Sequence, residues 1–257
     1  MLKKNLNITF MRLSILLGIF LIFFSTISNS EENIPVDVAK KLKSNLLNSR
    51  PDLKFDDIEK TKIPGLYLIR VDSNQFFYVE ENGEYLIVGD MYQAKPFGFV
   101  PVVAESILEM RKNSIKKVLE KNMIIFPSTS KAKEIIYVFT DVDCHFCRKF
   151  HNETLSNLTS AGVEVRYLAY PRAGINSESY KKMASAWCAG DKNKALSALK
   201  QRETIDEYIC DDNPISDQMD LGQEIGITGT PAILLEDGTL LMGYRPASKL
   251  LEIIANY

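Results

Sequence analysis

The chain has 257 residues, of which 46% are hydrophobic and 25% are charged, and its formal net charge is −2. This is ordinary globular composition, which excludes a collagen, a cationic nucleic-acid coat protein and a polytopic membrane protein. Four cysteines are too few for a miniprotein built on disulfides, but they suffice for two pairs.

The first thirty residues have the pattern of a secretory signal peptide. Lys3, Lys4 and Arg12 precede an apolar run from Leu13 to Phe24, and small or polar residues follow that run. The run has about twelve residues, fewer than the ~20 that a membrane-spanning helix needs, which disfavours an uncleaved membrane anchor. We therefore predict that residues 1–30 are a cleaved signal and that the mature cysteines can form lasting disulfides.

Residues 31–95 predict a small module made of one helix and an antiparallel meander. Apolar residues recur at helical spacing from Val36 to Asn48. The strand-like runs that follow are separated by turn signals and cover Gly65–Val71, Gln75–Glu80 and Glu84–Val88. A module of about sixty residues is near the size at which a single core is marginal, so pairing with a second copy is expected to stabilise it.

A connector is predicted over residues 96–125. Pro96 and Pro101 interrupt the chain, and a helical pattern then extends from Val102 to Lys121 without Pro or Gly. Its charged remaining positions suit an exposed linker helix between two modules.

Residues 126–257 predict a larger α/β domain with helices layered over a central sheet. The predicted strands are Glu134–Thr140, Val163–Ala169, Ala232–Leu235 and Thr239–Met242, the last two joined at Asp237-Gly238. The predicted helices pass through Phe150, Leu155 and Leu158, through Glu178–Cys188, and through Ser248–Ala255, where Ser248 is a candidate N-cap.

The sequence Cys144-His145-Phe146-Cys147 follows the first strand of this domain and opens a helix. A cysteine in the first helical turn lies against free N–H groups and the positive end of the helix dipole, which stabilises its thiolate. A second cysteine three residues later can attack a mixed disulfide formed by the first. The pattern predicts a thiol–disulfide exchanger in which Cys144 attacks and Cys147 resolves.

Half of a zinc site has the same spacing. The remaining cysteines, Cys188 and Cys210, do not form a second C-x-x-C, and the two histidines, His145 and His151, both lie near the first pair. Ligand spacing therefore disfavours zinc, and no metal or cofactor is predicted.

Thr230-Pro231 gives a second indication, because it leads directly into the strand at Ala232. Proline is tolerated at the start of a strand, and a cis peptide there would turn the chain sharply. Taken alone, an ordinary loop proline is the simpler interpretation; beside a C-x-x-C, a cis-proline facing the cysteines is favoured.

Together these motifs resemble the thioredoxin fold, and more closely the DsbC family of periplasmic disulfide isomerases. The matching segments are Val138–Asp141, Val165–Arg172, Trp187–Ala189, Asp191–Ala195 and Gly229–Ala232. The resemblance implies a cystatin-like dimerisation domain joined by a helix to a thioredoxin-like catalytic domain, α+β overall. It also implies that Cys144 is the nucleophile, that Cys147 resolves, that Pro231 is the cis-proline and that Cys188 and Cys210 form a structural disulfide.

One departure from the family concerns the residues between the cysteines, which are typically Gly-Tyr and here are His145-Phe146. Intervening residues tune the thiolate and the redox potential. A protonated His145 could support the Cys144 thiolate, and a solvent-facing His145 without a role is an equal alternative.

The resemblance implies a homodimeric isomerase that acts on misoxidised exported proteins and is kept reduced by a membrane thiol reductase of the DsbD kind. Two alternatives are a monomeric oxidase that donates disulfides and a DsbG-like holdase that binds unfolded chains with the cysteines secondary. The low net charge predicts no nucleic-acid partner.

Overall fold

The computed structural model describes residues 34–72, 75–96 and 98–256. The predicted signal peptide lies outside these ranges. Within them, no helix combines the length and apolar character needed to cross a bilayer.

The N-terminal module consists of one helix packed on a four-stranded antiparallel sheet. Its elements are α1 (Val36–Ser49), β1 (Phe55–Lys60), β2 (Leu66–Val71), β3 (Gln75–Glu80) and β4 (Leu86–Ile87). The strands are ordered β1-β2-β3-β4. Leu42 and Leu46, one helical turn apart, are buried with Ile69, Val71 and Val79 of the sheet. The helix and the meander are as the sequence predicts; β1 is an additional strand.

A separate hairpin follows this sheet. It pairs β5 (Met91–Lys95) with β6 (Gly98–Val102), and Tyr92 lies opposite Pro101. The predicted break at the two prolines is therefore wrong for Pro101. Each strand of a two-stranded hairpin has one free edge, and a proline whose nitrogen faces that edge removes no interstrand hydrogen bond.

The helix α2 (Glu105–Lys116) is shorter than the predicted span of 102–121, and a 3₁₀ turn covers Glu120–Asn122. Ile115 is buried in a cluster that it shares with the larger domain. The first strand of that domain, β7 (Ile124–Phe126), was not predicted and starts inside the proposed connector.

A five-stranded mixed sheet forms the centre of the larger domain. Its other strands are β8 (Glu134–Thr140), β9 (Val163–Ala169), β10 (Ala232–Leu235) and β11 (Leu240–Met242). The order is β11-β10-β8-β9-β7, in which β8 and β9 are parallel and the other neighbours antiparallel. β8 is the middle strand, so the residues at its carboxyl end lie at the centre of the domain.

Both faces of this sheet are covered. Ile136 and Val138 of β8 face one buried cluster, while Tyr137 and Phe139 face the other, as expected from side chains that alternate along a strand. This two-sided burial explains why β8 is an almost continuous apolar run.

Helices supply the cover. They are α3 (His145–Lys149), five residues of π-helix (Phe150–Thr154), α4 (Leu155–Ser160), α5 (Glu178–Cys188), α6 (Lys192–Lys200), α7 (Ile215–Glu224) and α8 (Ala247–Ile254). The predicted N-cap at Ser248 is wrong, because α8 begins one residue earlier and has Pro246 at the N-cap position without a side-chain cap bond. The predicted fold class, a thioredoxin-like domain with a small N-terminal domain, is confirmed.

Candidate active site

The end of β8 and the turn after it position the first cysteine. The Asp141 carboxylate accepts a hydrogen bond from the Asp143 N–H at 2.9 Å, and the Asp141 carbonyl accepts one from the Cys144 N–H at 3.3 Å. These bonds form a tight turn from the buried strand into α3. Cys144 occupies the N-cap position of that helix, and Cys147 lies in its first turn.

The second segment of the site is the turn into β10, the strand beside β8. The Thr230-Pro231 peptide is cis, and the Cys144 thiol lies 3.3 Å from the Thr230 carbonyl. Two segments that are 86 residues apart in the chain thus meet at one sulfur atom.

The two cysteines are free thiols and nearly inaccessible, with 3% exposure for Cys144 and 1% for Cys147. Hydrogen bonds from the Cys147 thiol and backbone N–H to the Cys144 sulfur outweigh its burial and lower the pKa of Cys144 to about 5. Burial raises the pKa of Cys147, and the hydrogen bond that it gives to Cys144 raises it further. At neutral pH the pair is one thiolate and one thiol, which is the asymmetry that an attacking and a resolving cysteine need.

Asp141 is a site residue that the sequence reasoning did not assign. Its carboxylate is buried and accepts hydrogen bonds from Ser179 Oγ, from Arg172 N at 3.1 Å and from Arg172 Nε at 3.2 Å. Burial alone would raise its pKa, but these donors lower it below the usual value. The ionised Asp141 holds the Arg172 guanidinium near Cys144, where its positive charge adds to the lowering of the Cys144 pKa. The sequence feature that could have identified Asp141 is its position directly after a buried strand.

The residues between the cysteines form an exposed aromatic surface. The Phe146 ring is half exposed and stacks on Tyr244, with ring centroids 6.3 Å apart. His145 is exposed and contacts the edge of Phe146 at 5.3 Å, and Lys149 lies over Tyr244 at 5.0 Å. This placement fits the solvent-facing alternative for His145 and leaves exposed apolar area between the two cysteines in the chain.

The other histidine is part of the core. His151 forms hydrogen bonds with Tyr167 at 3.2 Å and with Ser197 at 3.1 Å, and burial lowers its pKa to about 4. Both ring nitrogens are therefore engaged. In residues 34–72, 75–96 and 98–256 there is no group of three or more His, Cys, Asp or Glu side chains arranged to hold a metal.

Cys188 and Cys210 are bonded to each other. The bond joins the end of α5 to an irregular segment that precedes α7, and the Cys210 N–H also points at the Cys188 sulfur at 3.0 Å. It closes a loop that contains α6, with a sequence separation of 22 between the two cysteines.

Replacing Cys188 and Cys210 together with alanine is expected to lower the free energy of unfolding by about 3 kcal/mol, because the unfolded chain regains the entropy of an open loop. Urea unfolding, with Cys144 and Cys147 held in the same redox state in both proteins, measures the difference. A peptide mass map that linked Cys188 to Cys144, or found both Cys188 and Cys210 free, would contradict the pairing.

Known proteins show the same two-part organisation. Residues 31–96 match the N-terminal domain of disulfide bond isomerase proteins, and residues 119–257 match the thioredoxin-like domain. The thiol:disulfide interchange protein DsbC of Escherichia coli strain K12 is 36% identical over 203 residues, covering 79% of this chain and 82% of that protein. The DsbC of Haemophilus influenzae is 33% identical over 197 residues, covering 77% and 82%.

One solved structure supports a shared fold over 60% of this chain. The catalytic domain of Proteus mirabilis ScsC, at 21% identity, superposes with a TM-score of 0.50 and covers 60% of this chain and 98% of its own. A disulfide interchange protein from Neisseria gonorrhoeae is 28% identical, covers 54% of this chain and 97% of its own, and has a TM-score of 0.48.

Proposed function

This chain belongs to the DsbC family of thiol:disulfide interchange proteins, and from that premise we propose that it rearranges wrong disulfides in exported proteins through a reduced Cys144-Cys147 pair. It is a disulfide isomerase and thiol–disulfide oxidoreductase of the thioredoxin fold. The observation that carries the proposal is the geometry of the cysteine pair: Cys144 lies at the N-cap of α3 and against the cis Thr230-Pro231 turn, and Cys147 lies in the first turn of the same helix. The lowered pKa of Cys144 and the raised pKa of Cys147 agree with these positions.

The first step is attack by the Cys144 thiolate on one sulfur of a client disulfide. A bond forms between Cys144 and that sulfur, the client S–S bond breaks, and the other client sulfur leaves as a thiolate. The thiolate is available at pH 7 because the Cys144 pKa lies below it. Thr230 and Pro231, which border the sulfur, and the aromatic surface of Phe146 are the residues that we expect to hold the client chain.

Two routes lead from the mixed disulfide. In isomerisation, another client thiolate attacks the client sulfur of the mixed disulfide, so a new client S–S bond forms and Cys144 leaves as a thiolate with no net redox change. In reduction, Cys147 loses its proton and attacks Cys144, which forms the enzyme disulfide and releases the client as a dithiol two electrons more reduced. The second route requires an external dithiol to restore the enzyme.

We assign that external role to a membrane thiol reductase of the DsbD kind, and we place the mature chain in the periplasm, where wrong disulfides arise. Support comes from the signal-like pattern of residues 1–30 and from the chemistry, since isomerisation can begin only from a free Cys144 thiolate. The proposed domain boundaries are a signal at 1–30, a dimerisation domain at 31–95, a linker at 96–125 and a catalytic domain at 126–257.

Alkylation tests the roles of the two cysteines. The rate at which iodoacetamide modifies Cys144 should rise with a midpoint near pH 5, because the reactive species is the thiolate, and Cys147 should stay unmodified at pH 7. Peptide mass spectrometry after timed quenching identifies the modified residue. Faster reaction at Cys147, or a Cys144 midpoint at the ordinary thiol pKa, would reverse the assignment.

A matched pair of variants tests the cause of the low pKa. Cys147→Ser retains a hydroxyl that can donate to the Cys144 sulfur, whereas Cys147→Ala does not. The midpoint in Cys147→Ala should be higher than in Cys147→Ser by about one unit, since the donated hydrogen bond favours the thiolate. Equal midpoints in the two variants would show that the Cys147 side chain does not set the pKa.

The resting redox state separates isomerase from oxidase. Acid trapping of the exported protein, followed by alkylation, should find Cys144 and Cys147 mostly as thiols. A pair found mostly as a disulfide would instead indicate an oxidase.

A further inference from the structure

Lys200, the last residue of α6, has its charge beneath the active site. The side chain is 1% exposed, and among the described residues it is the one lysine that is fully buried. Its Nζ donates to the Thr140 hydroxyl at 2.6 Å and to the Asp141 carbonyl at 3.1 Å. Both acceptors lie at the end of β8, directly before the turn that carries Cys144.

These two acceptors are neutral groups. In the part of the chain that the structure describes, no carboxylate forms an ion pair with Lys200; the nearby Asp141 carboxylate pairs with Arg172. A buried ammonium without an ion-pair partner is costly, and burial lowers the pKa of Lys200 to about 8, although the nearby Cys147, Asp141 and Cys144 oppose that effect. At pH 7 most of the molecules therefore still carry the charge.

The cysteine thiolates are the anions that the positive charge of Lys200 can stabilise. The Asp141 carbonyl accepts hydrogen bonds from both the Lys200 ammonium and the Cys144 backbone N–H, so one carbonyl oxygen joins the lysine to the start of the C-x-x-C segment. Burial strongly disfavours the Cys147 thiolate, and the positive charge of Lys200 opposes that effect. The titratable and charged groups around Lys200 are Asp141, Cys144, Cys147, Arg148 and His151.

We propose that Lys200 is a positioning residue for the second half of the exchange, in which its buried ammonium stabilises the Cys147 thiolate that attacks the mixed disulfide. The inference rests on the proposed roles of Cys144 and Cys147. In this step Cys147 gives its proton to solvent, its sulfur bonds to Cys144, the bond from Cys144 to the client sulfur breaks, and the client thiolate leaves and takes up a proton. Lys200 forms no covalent bond and acts only through its charge.

An aromatic disulfide reagent, 5,5′-dithiobis(2-nitrobenzoate), resolves the two halves in one experiment. In the reduced protein, attack by Cys144 on the disulfide of the reagent releases a first coloured thiolate, and attack by Cys147 on the Cys144 sulfur of the resulting mixed disulfide releases a second. In Lys200→Met and Lys200→Gln, the rate of the first release should change by less than about twofold at pH 7. The rate of the second release should fall by about tenfold, because a rise of one unit in the Cys147 pKa lowers the thiolate fraction about tenfold.

The pH profile distinguishes a charge from a structural role. Because Lys200 itself loses its proton near pH 8, the difference between wild type and either variant should shrink above that pH. Lys200→Gln removes the charge and keeps a side-chain N–H donor, on a slightly shorter side chain, for Thr140 and Asp141. Lys194→Met, an exposed lysine on the same helix, is the matched control and should leave both releases unchanged.

The outcomes separate this inference from the proposed function. If wild type releases two thiolates in sequence and both Lys200 variants keep the wild-type second rate, or only Lys200→Met slows, the inference is wrong while the cysteine roles stand. If wild type shows no second release, or Cys147 attacks first, the cysteine roles themselves fail. Folding is checked by urea unfolding of the disulfide forms, in which replacing a buried ammonium by Met should not destabilise the protein.

Discussion

Replacing Cys144 with serine is expected to reduce the refolding of a scrambled protein, and the reduction of a small disulfide, by at least about 1,000-fold. A serine hydroxyl is not ionised at neutral pH and cannot form a disulfide with the client. The neighbours that lower the Cys144 pKa remain in this variant, so its geometry is retained while its chemistry is lost. Recovery of activity from scrambled ribonuclease measures the first effect, and insulin reduction measures the second.

The matched control is Cys147→Ser, which keeps the nucleophile and removes the resolving thiol. It should accumulate mixed disulfides with clients, visible as high-mass species on non-reducing gels, and retain the part of the isomerisation that client thiols complete. The holdase alternative is tested by measuring whether the protein suppresses the aggregation of an unfolded, cysteine-free client, because binding alone needs no sulfur. If Cys144→Ser refolds scrambled ribonuclease at the wild-type rate, the enzyme interpretation is wrong.

The cysteine pair and the Thr230-Pro231 turn were accessible from sequence for a physical reason. Each is a local pattern whose context, a strand followed by a helix or a proline before a strand, is itself local. The sheet then brings them together, because β10 pairs with β8 from Ala232 opposite Phe139. The predicted ends of β8, β9 and β10 agree with the structure, since buried apolar runs give a strong signal.

Lys200 and Asp141 could not be assigned in this way. A lysine at the end of an amphipathic helix resembles a solvated charge, and only the packing of α6 against the end of β8 shows that it is buried. Likewise, the partners of Asp141, Arg172 and Ser179, are more than thirty residues away in the chain. Burial of a charge depends on such distant contacts, and the periodicity of a segment does not contain them.

β1 and the β5–β6 hairpin were missed for a different reason. β1 contains four charged residues among six, and most of its positions are exposed or half buried, so it has no apolar alternation to detect. Residues in the hairpin are mostly exposed as well. Edge and two-stranded elements depend on backbone pairing more than on side-chain burial.

The N-terminal module has a surface that a second copy can cover. β4 lies at the edge of its sheet, and the run Tyr85–Val88 is 50–73% exposed although all four side chains are apolar or aromatic. An exposed apolar edge strand is a template for pairing with another chain. We propose that two copies join here about a twofold axis and hold two catalytic domains over a shared cleft.

A truncation that tests this must leave α2 in place. Arg111 of α2 donates to the Ile225 carbonyl at 2.9 Å, Ile115 is buried among core residues of the catalytic domain, and the Leu108 backbone lies against Gly238. A cut at residue 95 would also split the β5–β6 hairpin. The truncated variant should therefore begin at Ala104 once its signal is cleaved, so that the four-stranded sheet and the β5–β6 hairpin are removed together.

This shortened protein is expected to be a folded monomer that reduces insulin within about threefold of the wild-type rate per active site, because the chemistry is confined to the catalytic domain. Its refolding of scrambled ribonuclease should fall by about tenfold or more, since a single domain cannot hold a misfolded client while Cys144 attacks.

A full-length variant with Leu86→Asp and Ile87→Lys in β4 should become monomeric and lose refolding activity to the same extent, because charges on the edge strand oppose pairing. Light scattering gives the assembly state of both. Full refolding activity from either monomer would overturn the shared-cleft argument, and a monomeric wild-type protein would remove its premise.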